Sequence, residues 1–239
     1  MAVSRKLIHA LRQGLRARAN PELAIPMQAY VKSTMPMYGI KAVPLRQICR
    51  TTFRQYPLQG FDRWRDTVLA LWRGARFREE RHCAIELCEL PEYRIFQNLK
   101  SLPMYEEMIV TGAWWDLVDP IATHRISYLM SAFPGHMARV LKQWSHCGDI
   151  WKRRTAILSQ LRFREKTDLD LLFQFIEPSI ESDEFFLQKA IGWALRDYAW
   201  YDIDEIVRYV NANKYRLSKL SQREALKNRA KLESSQQTA

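Results

Sequence analysis

The feature that most constrains this chain is a recurrence. Four segments set a basic residue just ahead of a small–large apolar pair: Arg81-His-Cys-Ala84-Ile85, Arg154-Thr-Ala156-Ile157, Lys189-Ala190-Ile191 and Arg223-Glu-Ala225-Leu226. Their alanines lie 72, 34 and 35 residues apart, and 72 is two steps of 36, so a missing copy centres near position 120, inside WWDLVDPIA. A period near 35 is the length of a helix pair that cannot bury its apolar face alone, so copies stack into an α-solenoid. Equivalent helices then line one concave face. Coincidence among helices of similar length is the competing explanation.

Local signals agree with helices throughout. Glycine is scarce, 8 of 239 residues, against a usual share of about 7%. In RHCAIELCELPEY the apolar Cys83, Ile85, Leu87, Cys88 and Leu90 form a buried side that Pro91 ends. In TDLDLLFQFIEPSI, Leu169, Leu172, Phe173 and Ile176 recur at three and four behind a Thr167 or Asp168 cap. SDEFFLQKAIGWALRDYA opens on Ser182 or Asp183 as N-cap, and LSKLSQREALK reads as a capping box with Ser221 and Glu224. The expectation is one all-α domain over 1–228 and a flexible polar tail over 229–239.

Thirty-seven Lys plus Arg against 26 Asp plus Glu gives a formal charge of +11. That excess is the footprint of a polyanion binder, nucleic acid first and an anionic membrane surface second. No apolar run approaches the roughly 18 residues of a membrane span. The first 21 residues hold no acid and carry Arg5, Lys6, Arg12, Arg16 and Arg18, without the apolar core of a secretory signal. They read as an amphipathic basic helix of the domain, a presequence being the lesser alternative. Cys49, Cys83, Cys88 and Cys147 form no CxxC pair and no zinc pattern with the five histidines. A reducing, cytoplasmic setting and metal-free chemistry without an organic cofactor are expected.

The densest chemistry is GAWWDLVDP at 112–120. Trp115 and Asp119 are four apart and share a face if one helix holds both. Asp119 also precedes Pro120, and Asp at an N-cap with Pro at N1 is a common helix start that needs no function. Trp114 and Trp193 could be core residues, as most tryptophans are highly buried. Trp193 has Lys189 four residues before it and Arg196 three after, an arrangement less typical of a core.

Over roughly residues 20–228 the chain resembles the AlkD-type family of HEAT-like-repeat alkylpurine DNA glycosylases. The resemblance is carried by PMQAYVKSTMPMYGI (26–40) with Pro44 and Arg46, FREERHCAIEL (77–87), GAWWDLVDPIA (112–122), WKRRTAILSQL (151–161), DEFFLQKAIGWALRDYA (183–199) and LSKLSQREALK (217–227), in family order. It implies a solenoid of HEAT-like antiparallel helix pairs with a concave basic groove. It further implies hydrolysis of the N-glycosidic bond of cationic purines such as 7-methylguanine and 3-methyladenine in duplex DNA, without extruding the base into a pocket. Asp119 would be the catalytic carboxylate, with Trp115, Trp193 and Tyr30 against the lesion. Arg154, Lys189, Arg196, Lys41 and Arg46 would be the phosphate contacts. The protein would act as a nucleoid-associated monomer, with no membrane partner. The alternatives are a non-catalytic binder of bent or branched DNA and a protein-interaction scaffold.

Overall fold

The structure is a computed structural model and describes residues 3–230, which form helices and turns with no strand among them. In chain order the α-helices are α1 (Arg5–Ala17), α2 (Pro21–Val31), α3 (Ala42–Gln55), α4 (Phe61–Arg73), α5 (Arg78–Glu89), α6 (Leu102–Gly112) and α7 (Trp115–Pro120). They continue with α8 (Ser127–Ala132), α9 (Pro134–Ser145), α10 (Ile150–Leu158), α11 (Leu169–Ile176), α12 (Phe185–Tyr198), α13 (Ile203–Ala212) and α14 (Lys219–Ala225). The chain divides into two compact units, Met1–Met108 and Ile109–Ala239. The tail expected from 229 lies, beyond residue 230, outside the described residues.

In the first unit α1 packs on α3 and α3 on α5, while α4 packs on α5. These three stacked helices begin at residues 5, 42 and 78, so the period of the sequence is also the spacing of the stack. The basic N-terminal stretch is α1, anchored by Leu7, Leu11 and Leu15, each 0% exposed. Buried charge fixes the α2–α3 connection. The Glu79 carboxylate accepts from the backbone N–H groups of Tyr38, Gly39 and Ile40 at 2.9–3.2 Å. Gly39 sits at φ +79, where a Cβ would meet the Asn20 carbonyl oxygen at 2.0 Å, so no larger residue fits.

The second unit repeats the scheme. α7 packs on α10, α10 on α12 and α12 on α14, with starts at 115, 150, 185 and 219. The outer helices α9, α11 and α13 close the other side. Ala84 and Cys83 in α5, Ala156 in α10, Ala190 in α12 and Ala225 in α14 are all buried at 0–1% exposure. Small residues at those equivalent positions let one helix lie close on the next. The missing copy is Ile121–Ala122, both 0% exposed.

Capping follows the sequence only in part. Asp149 caps α10 with bonds from Trp151 and Lys152 N–H at 2.9 Å, Asp168 caps α11, and Asp202 caps α13. Two expectations are corrected. Neither Ser182 nor Asp183 caps α12, which begins after Glu184; the Ser182 hydroxyl accepts from the Glu184 N–H before the helix starts. At α14 the cap is Ser218, which accepts from the Ser221 N–H at 3.0 Å, so Ser221 and Glu224 lie inside the helix and form no capping box.

Candidate active site

The unusual stretch begins with a strained reversal. Ala113 adopts φ +42, in the left-handed region that L residues rarely enter. Trp114 is extended, and Trp115 is the first residue of α7. Asp119 is therefore the fifth residue of a helix and not its N-cap, so capping does not account for the carboxylate. Pro120 lies within the helical run, where it has no N–H to give and its ring crowds the carbonyl four residues back. The chain answers by widening into a π-helical turn over Ile121–Ile126. Hydroxyls add bonds along the turn: Thr123 donates to the Asp119 carbonyl at 2.8 Å and Ser127 to that of Ala122 at 3.2 Å. Wide turns of this kind concentrate at functional positions.

Stacking of α7 on α10 brings Asp119 to Arg154. The pair is bidentate, with Arg154 Nε donating to Oδ1 and Nη2 to Oδ2, both at 2.7 Å. Its side chains are 14% and 5% exposed. Arg154 Nη1 donates to the Phe186 carbonyl of α12, and the guanidinium lies 6.0 Å from the Phe186 ring centroid. Phe186 packs against Trp114 at 5.1 Å and Trp151 at 5.0 Å. One arginine thus ties three successive helices of the stack to the carboxylate. Burial pushes the Asp119 carboxyl above its ordinary range, and Arg154 pulls it only part of the way back.

The carboxylate keeps acceptor capacity beyond the pair. An ionised carboxylate has about four lone-pair positions, and the two bonds from Arg154 occupy one on each oxygen. Trp115 lies one turn before Asp119 and is half-buried. Arg154 itself is buried, with three of its five guanidinium N–H groups accounted for by Asp119 and the Phe186 carbonyl. Trp193 in α12 is half-buried and rests on the core of the second unit. Lys189 and Arg196 both grip Glu224 of α14: Lys189 Nζ lies 2.9 Å from Oε1, and Arg196 Nη1 bonds Oε2. The two expected phosphate contacts therefore share one acid. Tyr30, Lys41 and Arg46 belong to the first unit, where Tyr30 is 76% exposed and Lys41 sits exposed at the start of α3. Arg46 pairs with Glu86 at 3.1 Å.

Phe186 and Trp151 are not among the residues expected at the site, and Glu224 is expected only as part of a helix cap, although the sequence carries a signal for all three. Asp119, Arg154, Lys189 and Glu224 are successive positions 35 apart, and Trp151 and Phe186 are also 35 apart. Reading the period through this column, charge by charge, gives both ion pairs. Among the described residues, no group of three His, Cys, Asp or Glu side chains is placed to hold a metal ion.

Fold and site together define a class: a helical-repeat protein whose stacked helices present a buried carboxylate–guanidinium pair beside tryptophan. The chain belongs to the DNA alkylation repair enzyme family, whose model matches residues 11–228. It is also similar to a solved structure from Enterococcus faecalis described as a predicted DNA alkylation repair enzyme. The two are 28% identical over 87% of this chain and 95% of that one, with a TM-score of 0.79. No curated protein matches the chain. Among the described residues no helix is long and apolar enough to cross a membrane.

Proposed function

We propose that this protein is a monofunctional DNA glycosylase that hydrolyses the N-glycosidic bond of N3- and N7-alkylated purines in duplex DNA. The observation that carries the reading is Asp119, a buried carboxylate held rigidly by Arg154 one helical turn from Trp115. Alkylation makes the purine cationic, so it departs as a neutral base without help from a general acid. As the bond from C1′ to N9 breaks, positive charge builds on the deoxyribose. A fixed anion in a poorly solvated site stabilises that charge and orients the water that adds to C1′. The water oxygen bonds to C1′, keeps one proton as the new hydroxyl and gives the other to the Asp119 carboxylate, which returns it to solvent.

The tryptophans suit the same charge. A ring face attracts a cation by on the order of 0.5–2 kcal/mol, which favours the alkylated base over its neutral parent. Arg154 acts first by aiming Asp119, and its remaining N–H groups are available to a phosphate beside the lesion. Lys189 and Arg196 would extend the backbone contacts within the second unit, and Lys41, Arg46 and Tyr30 are proposed as DNA contacts of the first unit. The reaction so written needs no metal, no cofactor and no second protomer.

The test is release of free 7-methylguanine from methylated duplex DNA by the purified protein, compared with Asp119→Asn. The amide keeps one acceptor for Arg154 while removing the charge, so a folding cost of about 1–3 kcal/mol is expected. Excision by the folded variant should fall about 10- to 1000-fold. Near-normal excision by a folded Asp119→Asn protein would refute the catalytic role. Binding without any release by the wild type would leave the non-catalytic DNA binder.

A further inference from the structure

The basic N-terminal segment has no part in that chemistry. Because Leu7, Leu11 and Leu15 take the buried stripe of α1, its cations are left to the other faces. Two of them, Arg12 and Arg16, line a cleft of about 180 Å³ together with His9 and Arg76, which comes from the α4–α5 turn. Tyr38 and Phe77 form a wall, their rings stacked at 3.9 Å.

The cleft has one acid, and that acid is already committed. Glu80, 1% exposed, accepts from the Tyr38 hydroxyl at 3.0 Å on Oε1. Its Oε2 accepts from Arg12 Nε at 3.0 Å and from the Arg76 backbone N–H at 3.3 Å. Arg12 is held further by the Gly74 carbonyl. Glu80 therefore neutralises and orients Arg12. Arg16 and Arg76 are exposed and form no ion pair among the described residues, Arg16 lying within hydrogen-bonding reach of the Tyr38 hydroxyl. Three guanidinium groups against one carboxylate leave the lining at +2, with His9 beside it.

Size narrows the occupant. The volume is below the roughly 300–1,000 Å³ of pockets that hold a drug-sized ligand, so a nucleoside is too large and a tetrahedral anion is not. Guanidinium forks match phosphate oxygens two at a time. We infer that this cleft is a phosphate-binding site, with Arg16 and Arg76 as its ligands and Arg12 set by Glu80 as a third donor. The phosphate is either a diester of a DNA strand or a free anion. The site lies wholly in the first unit and makes no use of Asp119.

The test uses the full chain and undamaged DNA, so it is independent of excision. Arg16→Ala/Arg76→Ala is compared with wild type and with Arg63→Ala, which removes an exposed charge of α4 outside the cleft. Affinity for an unmodified duplex is followed by anisotropy between about 50 and 200 mM salt. Loss of two diester contacts should lower the log–log salt slope by about two units. Melting in sodium phosphate against chloride of equal ionic strength reads the other source. Wild type stabilised by phosphate, the double variant not, and equal DNA slopes would assign the site to a free anion. If the double variant matches Arg63→Ala in both measurements, the site does not exist. Should the double variant melt early, Arg76→Ala alone reads the same contrast at about one unit of slope.

Discussion

Asp119 is under two opposed influences, and their balance sets how the protein should respond to pH. Burial favours the protonated carboxyl and Arg154 the charged one, with a net upward shift. Because the folded value lies above the unfolded one, this group stabilises the fold below the unfolded value, near 3.9. That stability is lost as pH rises through the folded value. On the proposed mechanism catalysis runs the other way, since only the ionised form would stabilise a cationic transition state. Excision should therefore rise with pH along an acid limb above the ordinary aspartate range. Arg154→Ala removes the downward influence and leaves Asp119 buried without its counter-ion, at a cost of about 3–5 kcal/mol in stability. Its acid limb should move to higher pH, so the deficit in excision shrinks as pH is raised. A deficit independent of pH, with a flattened salt slope, would instead mark Arg154 as a phosphate contact only.

At the scale of the helices, the close approach of α12 and α14 depends on Gly192. A Cβ there would lie 2.5 Å from the Glu224 Cβ and 3.0 Å from the Ser221 carbonyl oxygen. Gly192→Ala improves helix propensity by about 1 kcal/mol, yet it must separate two packed helices, and overpacking of this kind costs about 1–3 kcal/mol. Packing should win, so thermal melting of Gly192→Ala should fall below wild type; a rise would mean that α14 docks loosely. The stack itself was legible because a small residue recurs where one helix crosses the next: Ala84, Ala156, Ala190 and Ala225. The helix starts were less so. Ser182 and Ser221 have the right chemistry for caps, but a cap needs extended backbone at that residue, and tertiary packing set it at Glu184 and Ser218 instead. The π turn after Asp119 was hidden for a similar reason. Proline signals a break, but the sequence does not show that the backbone continues past it in a wider turn. There the Thr123 and Ser127 hydroxyls add bonds to carbonyls of the run.

Across the whole molecule, the charge of +11 overstates what is available to a polyanion, because some cations already have partners. Lys189 and Arg196 are the clearest case, both held by Glu224, whose carboxyl is lowered first by Lys189 and also by Arg196. For DNA to use them, Glu224 must be displaced or must share them, and a cation neutralised from within releases fewer counterions on binding. Glu224→Gln removes the competitor while keeping the shape. If both cations reach phosphates, duplex affinity should rise at low salt, and the log–log salt slope should steepen by up to about two units. The same change should lower the melting temperature near neutral pH. A carboxyl with a depressed folded value stabilises the fold above its unfolded value, near 4.3, and that contribution fades as pH falls through the folded one. The melting difference between Glu224→Gln and wild type should therefore close in acid. An unchanged affinity and slope, with the stability loss intact, would make Lys189 and Arg196 fasteners between α12 and α14 and remove them from the DNA interface.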